Sequence, residues 1–247
     1  MAATTEKNAM NYAAEFDNKV VVITGADGNL GRAVAAAFAQ AQASLVLVGL
    51  HAQSLASAFG QSDAQQLLVG ADLTQRAGAD TVVDQAIARF GRIDVLCNLA
   101  GGFRMGPAVH ETPMEDWDAL FALNLRSVLH MAGAVVPGML AHGGGRIVNV
   151  GAFAAARGVA HMGAYTAAKS AVARVTEAMS GELREQGIHV NCVLPSIIDT
   201  PENRAAMPEA DPARWVSPHD LASAILFLAS DRARAIHGAC LPVTGLS

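Results

Sequence analysis

The sequence predicts a doubly wound α/β fold: one domain built on a seven-stranded parallel sheet with helices on both faces. Three observations carry this expectation. Short β-branched runs alternate with longer stretches of helical periodicity from Lys19 onward. The first run, residues 19–24 (KVVVIT), is continuously apolar, as a strand covered on both faces must be. A glycine-rich turn follows it directly, in the place where such folds bind nucleotides. At 247 residues the chain is long enough for one large core and short for two.

The elements follow in order. After the first strand and its turn, Leu30, Val34, Ala37 and Phe38 fall on one helix face. Further strands are expected at 44–48, 66–69, 93–98, 146–150, 189–194 and 239–243, with long helices at 114–141, 164–186 and 217–230. Residues 1–17 are polar and mixed, without the basic-then-apolar order of a leader, and are expected to form a flexible extension ahead of a domain spanning 18–247. The proline-rich segment 195–218 is the longest irregular stretch, and a long loop inside a compact domain is usually functional.

Composition excludes several classes of function. No apolar run approaches the roughly 18–20 residues of a membrane helix, so no membrane partner is expected. A net charge of −5 without a basic run argues against nucleic acid. Cys97, Cys192 and Cys240 sit in apolar contexts without metal-ligand spacing. They read as buried reduced thiols of a cytoplasmic protein with no metal.

Two motifs carry chemistry. In Thr24-Gly25-Ala26-Asp27-Gly28-Asn29-Leu30-Gly31 the glycines let the backbone turn tightly and approach a pyrophosphate, whose charge the following helix N-terminus favours. Tyr165 and Lys169 are four residues apart, hence on one face of the helix expected there. The ammonium is expected to lower the pKa of the phenol, which otherwise lies near 10 and suits acid-base work poorly at neutral pH.

Taken together, these motifs resemble the short-chain dehydrogenases/reductases. The turn is similar to the family's TGxxxGxG with Asn29 at the middle glycine. Asparagine tolerates a left-handed backbone, and Gly28 is placed to share the role. Asp72-Leu73, Asn98-Leu99-Ala100-Gly101, Asn124, Tyr165-x-x-x-Lys169 and Pro195 to Thr200 follow in family order, so the likeness runs from Lys19 to about Gly245. It implies a Rossmann-like fold and an NAD(P)-dependent oxidoreductase acting on a small-molecule substrate. Asp72 would meet the adenine, and Asn98 to Gly101 would flank the cofactor. Ile198 and Thr200 would lie beside the nicotinamide carboxamide. Tyr165 would exchange a proton with the substrate, Lys169 would hold the ribose, and Asn124 would fix a water. Family members commonly pair the two longest helices across a two-fold axis, which implies a homodimer or homotetramer.

Two departures from the family pattern bear on specificity. The second strand ends in Gly49, Leu50 and His51, which supply neither the acid expected for NAD nor the arginine expected for NADP. Without a carboxylate to repel the phosphate, and with His51 or Arg32 available to approach it, the expectation leans to NADP; both are equally readable as ordinary surface residues. Thirteen residues before Tyr165, where the family has a serine, stands Ala152, and no serine intervenes. Losing one such donor costs on the order of 10²–10³ in rate for an ordinary ketone. Gly151-Ala152, Tyr165, Lys169 and Val172 are locally similar to dihydropteridine reductases, a branch that works without the serine. So are residues 199–204, 207–211 with Trp215, and Cys97 to Gly102. That likeness implies an electron-poor quinonoid imine as a second substrate class beside a carbonyl or alcohol. Reduction of a 3-oxoacyl thioester stays open as well, as does a non-catalytic NAD(P)-binding sensor or scaffold. Around the substrate, Phe103, Arg104, His161, Arg204 and Trp215 are the candidates, with either arginine available for an anionic group.

Overall fold

A computed structural model describes residues 13–247. Seven strands form one sheet: β1 (Val20–Thr24), β2 (Ser44–Gly49), β3 (Gln66–Gly70), β4 (Val95–Asn98), β5 (Gly145–Val150), β6 (Ile188–Pro195) and β7 (Cys240–Val243). Their order is β3-β2-β1-β4-β5-β6-β7, and every pairing is parallel. The helices are α1 (Ala13–Phe16), α2 (Asn29–Gln40), α3 (Ala52–Phe59), α4 (Arg76–Phe90), α5 (Met114–Phe121), α6 (Ser127–Ala141), α7 (Gly163–Leu183), α8 (Pro201–Ala206) and α9 (Pro218–Ala229). The expected strands and long helices are present, with ends shifted by up to three residues.

The unbroken apolar run of β1 has a direct packing cause. Val21 and Ile23 point into a core with Val34 and Phe38 of α2 and Leu221 and Ile225 of α9. Val20 and Val22 point the other way, into a second core with Val82 of α4 and Met131 and Val135 of α6. Both faces of the sheet are dry, so alternation has no solvent side to serve.

The structure corrects three expectations. Residues 1–12 of the expected extension lie outside the described residues, but its last part belongs to the domain. Phe16 is 2% exposed and packs edge-to-face on Phe38, with centroids 5.0 Å apart, while Glu15 accepts from the Asp231 amide. The stretch 114–141 is not one regular helix: a π turn over Ala122–Arg126 separates α5 from α6. That stretch, Met114–Ala141, is also long and apolar enough to cross a membrane by length and composition, with a mean hydropathy of 1.5. Here its apolarity serves the sheet, because Val128, Met131, Val135 and Met139 are all buried.

Candidate active site

The strand order reverses between β1 and β4, and the crevice at their carboxyl ends is the place where a parallel sheet binds its ligand. Thr24, the last residue of β1, closes the base of this crevice. Its Oγ1 accepts from the Leu99 amide (2.9 Å) and the Ala100 amide (3.0 Å) and lies 3.4 Å from the Cys97 carbonyl. Gly25 takes the left-handed conformation (φ +62°), and a Cβ there would lie 3.0 Å from the Ala100 backbone. At Gly31 a Cβ would come within 2.2 Å of the Gly25 carbonyl oxygen, so α2 can seat against the turn only through a glycine. The left-handed position expected at Asn29 therefore lies at Gly25. Gly28 is the extended residue before the helix (φ −75°), and Asn29 and Leu30 are already its first helical residues. Asn29 instead fastens the segment after β6 to the glycine-rich turn, its Nδ2 donating to Glu202 Oε2 at 2.8 Å.

Among the residues expected to meet the adenosine, Asp72 is exposed, and its Oδ1 accepts from the Thr74 amide and hydroxyl at 2.9 and 2.7 Å. Leu73 is buried, with its carbonyl 3.0 Å from His130 Nδ1. His51 is exposed and makes no side-chain cap to α3. Arg32 is exposed, and its Nε donates to the Asp27 carbonyl at 2.9 Å. Beside Gly49 stands a group that sequence reasoning missed: a Cβ at that glycine would lie 3.0 Å from Asp27 Oδ1. Asn98 is turned into the protein. Its Nδ2 donates to Asn149 Oδ1 (2.9 Å), and Asn149 Nδ2 donates to Thr176 Oγ1 (2.9 Å). This buried chain ties β4, β5 and α7 together. Asn98 thus positions the backbone at Ala100 and Gly101 while its own amide stays inside.

Tyr165 and Lys169 lie one turn apart on α7. Lys169 is 6% exposed, and its Nζ donates to the Val150 carbonyl at 2.8 Å. A Cβ at Gly101 would stand 2.8 Å from Asn124 Oδ1 and 3.1 Å from Lys169 Nζ, so these three residues converge. Asn124 sits in the π turn, a distortion that often marks functional sites. Its Oδ1 accepts from the Gly102 amide (3.0 Å), and its Nδ2 donates to the carbonyls of Gly102 (3.0 Å) and Leu120 (3.1 Å). Its side chain thus holds the Gly101–Gly102 backbone. Burial pushes Tyr165 up to about 12, opposite to the expected direction, and the Lys169 ammonium is turned to Val150. Burial also lowers Lys169 to about 8, with Cys192 opposing. The phenol is thus held protonated at neutral pH.

Toward the substrate, Phe103 packs edge-to-face on Tyr165 (centroids 5.0 Å apart). A cleft opens there, lined by Arg104, Met105, Thr112, Leu120, His161 and Tyr165. Both candidate arginines are ion-paired: Arg104 with Asp116 (2.5 Å), and Arg204 with both oxygens of Asp199 (2.6 and 2.8 Å). Trp215 is buried and does not line the cleft, a further correction. His161 holds a left-handed backbone (φ +61°), accepts from the Gly106 amide through its carbonyl (2.8 Å), and is exposed at the cleft. Ala152 is buried, and the nearby Ser170 hydroxyl donates to the Ala155 carbonyl. Pro195 ends β6. Thr200 Oγ1 accepts from the Asn203 amide (3.2 Å) and its hydroxyl hydrogen-bonds the Glu202 carboxylate, while Asn203 Nδ2 donates to the Ile198 carbonyl (2.8 Å). Among the described residues no group of three His, Cys, Asp or Glu side chains could hold a metal. A roomier cleft lies at the opposite end of the sheet, but Arg92 and Arg146, which line it, are already paired with Asp94 and Asp231.

The tight left-handed turn at Gly25 leads straight into the N-terminus of α2 at the mouth of the crevice, which fits a dinucleotide. Comparison with known proteins agrees. The family model described as short chain dehydrogenase matches residues 19–211. The D-threitol dehydrogenase of Mycolicibacterium smegmatis is 33% identical, over 96% of this chain and 95% of the relative. The 2-dehydro-3-deoxy-D-gluconate 5-dehydrogenase of Escherichia coli is 34% identical, over 94% and 96%. A solved 3-ketoacyl-(acyl-carrier-protein) reductase from Brucella melitensis, complexed with NADH, superposes with a TM-score of 0.84 at 30% identity, covering 93% of this chain and 98% of its own.

Proposed function

The chain belongs to the short-chain dehydrogenase/reductase family of oxidoreductases, and we propose that it interconverts a small carbonyl compound and its alcohol with Tyr165 as the proton-exchanging group. The observation that carries this is the convergence of Lys169, Asn124 and Gly101 at the carboxyl ends of β4 and β5, with Tyr165 one turn before Lys169 on α7 and lining the adjoining cleft. When bound there, the nicotinamide supplies or accepts the hydride. The chain's own residues do the rest. Thr200 would lie beside the carboxamide, and the Lys169 ammonium would bind the ribose. Tyr165 gives its proton to the substrate oxygen in reduction and takes it back in oxidation. Phe103 covers the tyrosine and limits water around it.

Ala152 favours a second reading. With no hydroxyl at that position and Ser170 engaged elsewhere, an acceptor that needs little oxyanion help, such as a quinonoid imine, suits the site. The exposed His161 is a candidate replacement donor lining the cleft for a ketone. The absent acid at Gly49 argues for NADP, and the Asp27 carboxylate beside that glycine argues against it. The same reading puts the protein in the cytoplasm as a homodimer or homotetramer.

The test is oxidation of NADH and NADPH with a panel of ketones, ketoses, 3-oxoacyl thioesters and quinonoid dihydropterin, with wild type, Tyr165→Phe and Ala152→Ser. Turnover of at least one substrate is expected. Tyr165→Phe should lower it by on the order of 10²–10⁴ while nucleotide binding persists. If the natural acceptor is quinonoid, Ala152→Ser should raise ketone reduction and leave quinonoid reduction unchanged. Nucleotide binding without turnover of any substrate would mark a sensor and defeat the enzymatic reading.

A further inference from the structure

We propose that Asp27, reaching from the glycine-rich turn into the space beside Gly49, is the acceptor for the adenosine ribose hydroxyls and makes this chain select NAD(H) over NADP(H). The inference deepens the dinucleotide reading above and rests on it. In a doubly wound sheet a carboxylate at the end of the second strand accepts the ribose hydroxyls and repels the phosphate that distinguishes NADP. Gly49 has no side chain to offer, yet the position is not electrostatically vacant. A Cβ on Gly49 would stand 3.0 Å from Asp27 Oδ1 and 3.1 Å from Leu55 Cγ. The carboxylate thus lies where a side chain at residue 49 would begin, and the glycine is what admits it.

Two contacts hold Asp27 in that place without consuming its charge. The Ala26 amide donates to the Val48 carbonyl at 2.9 Å, fastening the turn to the end of β2. Arg32 Nε donates to the backbone carbonyl of Asp27 at 2.9 Å. The carboxylate itself makes no hydrogen bond or ion pair with any described residue, and it does not cap α2. The other acids near the crevice are committed: Asp72 Oδ1 to Thr74, Glu202 to Asn29 and Asp199 to Arg204. Asp27 is half-buried and retains its full acceptor capacity. This arrangement reverses the lean to NADP, which rested on the lack of an acid in the second strand itself. A phosphate on that ribose hydroxyl would meet the Asp27 charge before it met Arg32.

Binding measured by fluorescence titration with NADH and NADPH tests this without reference to turnover. Wild type, Asp27→Asn and Asp27→Ser are compared, with thermal unfolding to show that each is folded. Wild type should bind NADH about tenfold or more tighter than NADPH, the scale of one charge-assisted hydrogen bond. Either variant should weaken NADH by a similar factor. Asp27→Ser should also strengthen NADPH, because Arg32 remains to pair with the phosphate. Equal or NADPH-favouring binding by wild type, or variants that leave the NADH/NADPH ratio unchanged, would overturn the role of Asp27 while the dinucleotide reading stands. Failure of wild type to bind either nucleotide would overturn both.

Discussion

Lys169 shows how a single side chain can be legible in sequence and still misjudged in its environment. Its partnership with Tyr165 follows from four-residue spacing on a helix. The direction of the pKa shifts does not, because burial governs both groups, while the Val150 carbonyl takes the ammonium's hydrogen bond. Asp27 and the Asn98–Asn149–Thr176 chain are illegible for a related reason, since each depends on which residues the sheet brings together across more than twenty positions of sequence. The Lys169 shift has a consequence for stability. A lysine near 8 when folded and 10.5 when unfolded binds more protons in the unfolded state between those values, so its contribution to stability rises with pH across that window. It is fully present above the unfolded value and is lost as pH falls through about 8. Between pH 8 and pH 10 it should add on the order of 2 kcal/mol. Denaturant midpoints at these two pH values should show that gain as the difference between wild type and Lys169→Met. Parallel pH dependences in the two proteins would refute burial as the controlling cause.

At the scale of elements, the glycine-rich turn is legible as a turn but not in its details. Sequence suggests that Asn29 fills a left-handed position. The structure puts that conformation at Gly25 and lets α2 begin at Asn29, whose amide is then free to reach Glu202. The π turn at Asn124 is invisible in sequence because the apolar spacing of α5 and α6 continues through it. What breaks the regular helix is the pairing of Asn124 with Gly102, a contact between distant segments. The two glycines that flank Asn29 are predicted to differ sharply. Gly31→Ala places a methyl group 2.2 Å from the Gly25 oxygen and 2.6 Å from Ala26 Cα, so α2 must move off the turn. We expect a loss of about 1–3 kcal/mol of stability and weakened dinucleotide binding. Gly28→Ala meets only the Gly25 oxygen at 3.4 Å, an ordinary contact, and has a backbone any residue adopts. It should be nearly neutral in denaturant unfolding. Equal penalties for the two substitutions would show that helix seating is not what Gly31 provides.

For the whole molecule, the sheet is legible because a strand covered on both faces leaves an unmistakable apolar run, and seven such runs separated by helices permit few other architectures. What surrounds the sheet is less legible, because apolar spacing identifies a face without saying what covers it. The stretch Met114–Ala141 is a case in point. One side of it is buried on the sheet, through Val128, Met131, Val135 and Met139. The other side exposes Leu129 and Leu140, about three turns apart, at 42% and 38%. Large apolar residues repeated along an exposed helix face at this spacing are what an interface between copies of the chain requires. A homodimer or homotetramer built on this face should appear in sedimentation at micromolar concentration. Leu129→Glu would set a charge on this face, opposite its own symmetry-related copy or close to it, while touching none of the buried side. It should shift the protein toward monomer with its far-UV circular dichroism unchanged. A monomeric wild type, or a variant that sediments like wild type, would rule this face out as the interface and leave its exposed leucines to another role.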